Sequence, residues 1–229
     1  MKQTVLIIEP HSDDSFIAAG GFFLKNKENF NFNFCLVTAS DINFHHKVVS
    51  REDRITEYKQ FVNKFNGNWV TTISGEHQLP LDYESRLDMF SRSALVKLIE
   101  TAILDVKPDI IMTMGPSFHH DHTILYEAVI AATRPTFNYA PKCIYLMENP
   151  TYVHKTYRTE SDSPNVYIEL TEDVIQTKIA LFKELFVSQT RADDTNYLSS
   201  NGVYKWAKYR GIEARCEFAE AFYQYFLKI

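Results

Sequence analysis

The chain has little of what small secreted proteins and nucleic-acid binders depend on. Its 229 residues include only three cysteines, Cys35, Cys143 and Cys216. An odd number without a CxxC pair indicates neither a disulfide framework nor a thiolate zinc knuckle, and fits a reducing, cytoplasmic setting. Positive charge is in deficit: 24 Lys and Arg face 29 Asp and Glu, for a formal charge of -5. Nucleic acid is therefore an unsuitable partner, because phosphates need a basic face. Long apolar runs are missing as well. The first one, Thr4-Val5-Leu6-Ile7-Ile8, stops at Glu9-Pro10, too soon for a secretory signal core and far too soon for a membrane span. There is no GxGxxG, internal repeat, low-complexity tract or linker. Residues 1–229 thus read as one domain, long enough to bury a sizeable core.

What the chain does have is apolar and aromatic residues, 45% and 14% of the total, set out as strands alternating with helices. The continuous run at residues 4–8 reads as a strand buried on both faces of a parallel sheet. Phe16 to Leu24 reads as a helix in which Gly20-Gly21 marks a close approach to the sheet, since propensity disfavours glycine there. Strands follow at 32–39 and 69–73, with a helix between them that opens at Ser50 and ends at Asn66-Gly67. Apolar residues then recur at helical spacing from Tyr83 to Val106, predicting one long helix closed by Lys107-Pro108. A strand at 109–113 and a helix from Thr123 to Thr133 come next. Two more strands, 142–147 and 165–170, flank a Tyr- and Ser-rich segment expected to face substrate. A helix capped by Thr171 and a final apolar helix, Phe218 to Leu227, complete the pattern. Such alternation predicts an α/β fold with a doubly wound, mostly parallel sheet in strand order 3-2-1-4-5.

Two clusters carry the chemistry. Pro10-His11-Ser12-Asp13-Asp14 follows the first strand, and His119-His120-Asp121-His122 follows the fourth. In the predicted order these strands are neighbours at the topological switch point, so both clusters fall in one crevice. His11 and Asp14, at i and i+3, and His122 form a set of two imidazoles and one carboxylate. That set leaves a position open, as catalytic zinc sites do, and also suits ferrous iron. Asp13 can take a proton from water, His119 can stabilise an oxyanion or protonate a leaving amine, and Asp121 can orient or charge-tune that same histidine. A plain alternative stands beside this: an Asp-Asp pair after a strand often only caps a helix. His45-His46 reads as a solvated loop pair.

Taken together, these residues resemble the zinc-dependent de-N-acetylases related to N-acetylglucosaminyl-phosphatidylinositol deacetylase, the PIG-L or LmbE-like family. The first signature of that family is His-x-Asp-Asp and then Gly-Gly after a strand. The second is His-x-Asp-His after Lys-Pro-Asp-Ile-Ile, matched by Lys107 to Ile111 and His119 to His122. Weaker echoes are Arg54-Ile55-Thr56-Glu57, Ser188-Gln189 and Phe218 to Phe222. The resemblance implies a Rossmann-like three-layer sandwich, zinc on His11, Asp14 and His122, Asp13 as general base and His119 as electrophile or acid. It further implies hydrolysis of the N-acetyl group of a small amino sugar or sugar conjugate by water activated on the metal. Arg54 would lie near substrate, although an ion pair with Glu57 on the helix surface explains it equally well. Ser12 and Ser15 depart from the proline and glutamate frequent in the family. With the many tyrosines, these changes leave room for an inactive sugar- or nucleotide-binding protein, and a phosphoester is a further substrate to weigh. A homo-oligomer is compatible with all of these readings.

Overall fold

The chain folds around β1 (Gln3–Glu9), which lies parallel between β2 (Phe30–Leu36) and β8 (Ile110–Met114). The computed structural model describes residues 2–44, 47–150, 164–190 and 197–228. His45-His46 and most of the Tyr- and Ser-rich segment before residue 164 lie outside them. Beyond β2 comes the short β5 (Asn68–Trp69), and beyond β8 comes β9 (Cys143–Met147), both again parallel. The sequence β5-β2-β1-β8-β9 is the predicted 3-2-1-4-5 order. Two antiparallel strands extend it, β11 (Phe218–Leu227) against β9 and β10 (Val166–Leu170) at the edge.

Alternation along β1 shows why its sequence is continuously apolar. Val5 and Ile7 enter a core with Phe16, Phe23, Phe61 and Phe182, while Leu6 and Ile8 enter a second core with Leu98, Ile99, Leu125 and Val129. The first core is closed by α1 (Asp14–Asn26), α2 (Arg51–Lys64) and α5 (Glu172–Leu185), the second by α3 (Arg92–Val106) and α4 (His120–Ala132). These are the three layers expected. Ser50 and Thr171 cap α2 and α5, each accepting a backbone N–H.

Several elements differ from the sequence reading. Residues 218–227 form a strand, not a helix. Phe218 to Phe222 are buried on both faces, so no period distinguishes the two, and the aromatic content favours the sheet. A helix from Ser200 to Ala214, α6, was not expected. Gly202 and Gly211 depress its propensity, yet Gly211 is required because a side chain there would collide with the Glu217 carbonyl. The long helix from Tyr83 begins only at Arg92, capped by Ser91, after a single 3-10 turn at Leu87–Met89. The third strand is limited to β5, and β6 (Ile73–Ser74) pairs instead with β7 (His77–Gln78), while β3 (Ile42–Phe44) and β4 (Lys47–Val49) form a separate hairpin.

Helix α1 holds the candidate site at its first turn, and it is broken at Ala19, where φ is -135° and ψ 15°. Buried groups fill the break. Lys178 donates its Nζ proton to the Ile17 carbonyl at 2.6 Å and to Glu220 at 2.7 Å; Glu220 in turn accepts from the Gly21 and Phe22 amides at 2.7 Å each. Any side chain on Gly21 would strike Leu170 and Glu220, which is the close approach the Gly20-Gly21 pair foretold. Among the described residues, no helix is long and apolar enough to cross a membrane.

Candidate metal centre

The turn after β1 and the start of α4, 110 residues apart in sequence, meet at the carboxyl ends of adjacent strands. Asp13 occupies the N-cap position of α1 but makes no side-chain capping bond, so capping does not account for it. Asp14 Oδ2 lies 2.9 Å from His11 Nδ1 and 3.3 Å from His122 Nε2. Donors about 2.0–2.2 Å from a tetrahedral ion lie about 3.4 Å apart, so the two separations from Asp14 suit a zinc-sized ion. All three residues are buried, and the ligand atoms of His11, His119 and His122 lie within 4.8 Å of one another.

Each donor is held from behind. Asn149, just past β9, donates to Asp14 Oδ1 at 2.9 Å, leaving Oδ2 to face the imidazoles. His11 Nε2 contacts Asp121 Oδ2 at 3.0 Å, and Ser117 Oγ lies 3.0 Å from His122 Nδ1. Asp121 therefore backs His11, whereas toward His119 its amide donates to Nδ1 at 3.3 Å. The same carboxylate accepts from the Ser85 and Leu87 amides at 2.7 and 3.0 Å. Those amides are thereby denied to a regular helix, which explains the unwound stretch before Arg92.

The charges follow from burial and proximity. Burial and then the Asp14 carboxylate push Asp13 up to about 6, against the opposing pull of Arg54. Burial raises Asp14 too, but His122 and His11 win and hold it well below the usual range. His11 would be lowered by burial, yet Asp14 and Asp121 lift it to about 10. A bound ion on Nδ1 would take the place of that proton. His119 is pushed down to about 3 by burial and by the neighbouring His11 and His122, so its ring is neutral. His11 and His119 lie edge to face at 4.5 Å.

Arg54 is buried and pairs with Glu84 at 2.6 Å, not with Glu57, which instead accepts from the Ser188 amide and hydroxyl. The surface ion pair weighed for Arg54 is thus excluded. Its Nε is buried without a partner among the described residues. Ser12 is buried with a hydroxyl that has no partner among the described residues, and the buried Ser15 donates its amide to Glu9 at 2.8 Å. Burial pushes Glu9 up to about 8.

Sequence reasoning missed Asn149, Glu9 and Ser85. Only Glu9 left a signal, as a carboxylate closing an otherwise apolar strand. Asn149 sits beside Glu148, which a buried Arg210 clamps through two 2.6 Å bonds, so α6 anchors that side of the centre.

A sequence model of the family described as GlcNAc-PI de-N-acetylase, PIG-L, matches residues 6–133. No curated protein matches the chain significantly in sequence. Among solved structures, N,N'-diacetylchitobiose deacetylase from Pyrococcus horikoshii is 20% identical, with 97% of this chain and 83% of that one covered at a TM-score of 0.66. The deacetylase of the antimicrobial A40926 pseudoaglycone is 15% identical, covering 98% and 97%, with a TM-score of 0.72. The 4-carboxy-2-hydroxymuconate hydratase from Pseudomonas putida is 16% identical, covering 100% and 98%, with a TM-score of 0.69. At such identities the likeness is one of fold.

Proposed function

The chain belongs to the GlcNAc-PI de-N-acetylase family, and we propose that it is a metal-dependent hydrolase removing the N-acetyl group from an amino sugar or sugar conjugate. One observation supports this reading: Asp14 Oδ2 lies within 3.3 Å of both His11 and His122, and the His119 ring packs against both imidazoles. His11, Asp14 and His122 would hold the ion, zinc first and ferrous iron as the alternative the same donors accept. When bound, the ion supplies a Lewis acid and shifts the pKa of water toward neutrality.

In this scheme Asp13, with its carboxyl near 6, takes the proton from water as the water oxygen bonds to the acetyl carbon. His119 Nδ1 accepts the Asp121 amide proton, so the ring's own proton resides on Nε2. A neutral ring in that tautomer donates a hydrogen bond to the carbonyl oxygen as negative charge develops there, favouring the oxyanion role over the acid role. The proton leaving with the amine then comes back from Asp13. The carbon–nitrogen bond breaks, giving acetate and a free amine. Arg54 would grip the substrate through its unpartnered Nε while Glu84 fixes its other arm. The proposed setting is cytoplasmic, with one domain acting on a small molecule.

Because a hydratase wears the same fold, the scaffold does not choose the reaction. The test is acetate release by the zinc-loaded protein across a panel of N-acetyl sugars. Asp13→Ala should keep its zinc yet lose about 100- to 10,000-fold in turnover, the usual contribution of a general base. Undiminished acetate release from that variant would remove Asp13 from the scheme. Stoichiometric zinc with no acetate from any substrate would favour a binding protein, phosphate release a phosphoesterase, and diene hydration without acetate a hydratase.

A further inference from the structure

Next to the centre lies a second convergence of donors that the proposed reaction leaves unused. His120 Nε2 is 3.0 Å from the Ser85 carbonyl oxygen, 3.3 Å from Asp121 Oδ1 and 3.7 Å from Asp88 Oδ1. A ring nitrogen carries at most one proton, so three oxygens compete for one donor. These separations from Nε2 are compatible with ligands around a metal, since tetrahedral donors about 2.0–2.2 Å from an ion lie about 3.4 Å apart, and ligand atoms of His119, His120 and Asp121 lie within 4.8 Å of one another. The chemistry agrees: one imidazole, two carboxylates and a carbonyl suit a borderline dication. Half of this set is rigid. Asp121 is fully buried and pinned by the Ser85 and Leu87 amides. Ser85 adopts φ +60°, rare for a residue with a side chain, and so presents its N–H to Asp121 and its C=O to His120. The other half is exposed and adaptable, with the His120 and Asp88 side chains 52% and 61% accessible.

We infer that Ser85, Asp88, His120 and Asp121 form a second divalent-cation site, weaker than the first because two of its donors are mobile. His119 belongs to the same donor group, its ring stacked on His120 at 5.2 Å. A dication there lies against the residue that faces the substrate oxygen, so filling the site inhibits turnover. That consequence rests on the hydrolase reading; the binding does not.

Zinc alone is the probe, added to metal-free protein in equilibrium dialysis without substrate. Wild type is expected to take up two zinc ions per chain, the second more weakly. His120→Ala and Asp88→Ala should each weaken the second by more than the roughly tenfold cost of losing an outer-shell partner, since each removes a direct donor. His122→Ala should lose the tight ion and keep the weak one. His77→Ala, removing another surface imidazole 3.7 Å from a carboxylate, should change neither. A wild type that binds one ion, or a His120→Ala protein of unchanged thermal stability that still binds two, overturns the inference. With an active substrate, the ratio of turnover in excess zinc to turnover at one equivalent should be low in wild type and approach unity in His120→Ala. An equal ratio in both would overturn the inhibitory role, while the dialysis result would stand apart from whichever bond the enzyme cleaves.

Discussion

Replacing Asn149 by Ala removes the one described hydrogen bond to Asp14 Oδ1, at 2.9 Å between two buried groups. Asp14 is held ionised by His122 and His11, so the lost bond is charge-assisted, worth about 1.5–3 kcal/mol. At about 1.4 kcal/mol per tenfold, that is roughly 10- to 150-fold in zinc affinity. The independent expectation for losing an outer-shell partner of a metal ligand is about 10- to 100-fold, and the two ranges agree. The carboxylate, no longer tethered, can also rotate Oδ1 toward the imidazoles, which blurs the choice of coordinating oxygen. The assay is zinc titration of metal-free protein against a chromophoric chelator, with near-UV circular dichroism to confirm that the core is intact. A dissociation constant within twofold of wild type, in a natively packed variant, would show that Asp14 is positioned by the α1 turn alone and that Asn149 is a bystander.

Further outcomes follow from the same contacts. Lys178→Met should cost about 3–5 kcal/mol in chemical denaturation, because it leaves Glu220 buried without its cation; a loss below 1 kcal/mol would mean that the two amides of α1 satisfy Glu220 by themselves. Phe61→Ala, in a core where that ring meets Phe16, Phe34 and Phe186, should cost about 3–5 kcal/mol on the same measurement. Burial pushes the Cys35 thiol up to about 12, so it remains protonated at pH 8 and should resist a thiol reagent in the native state, whereas the partly exposed Cys216 should react first; peptide mapping that found Cys35 modified earliest would contradict this.

How much of this was legible in the sequence depended on whether a residue's job was set locally. That His11, Asp14 and His122 meet could be foreseen because a switch-point topology brings together the ends of strands one and four, and that topology follows from the strand–helix alternation. Asn149 could not, since a single asparagine after a strand has no period and no spacing to betray it; only the register of β8 with β9 carries it to Asp14. The misread helix from Tyr83 shows the two effects in conflict. Its apolar spacing is genuinely helical, but Asp121 takes the Ser85 and Leu87 amides, and a buried charge needing two donors outweighs the few tenths of a kcal/mol by which propensity favours each residue. The C-terminal strand fails for a different reason: both faces of Phe218 to Phe222 are buried, so the sequence there records burial and not shape. Departures from local rules therefore gather where a distant group has a prior claim on the backbone. At Ser85 that claimant is the carboxylate that also supports His11, so the unwound segment belongs to the site and is not an accident of the fold.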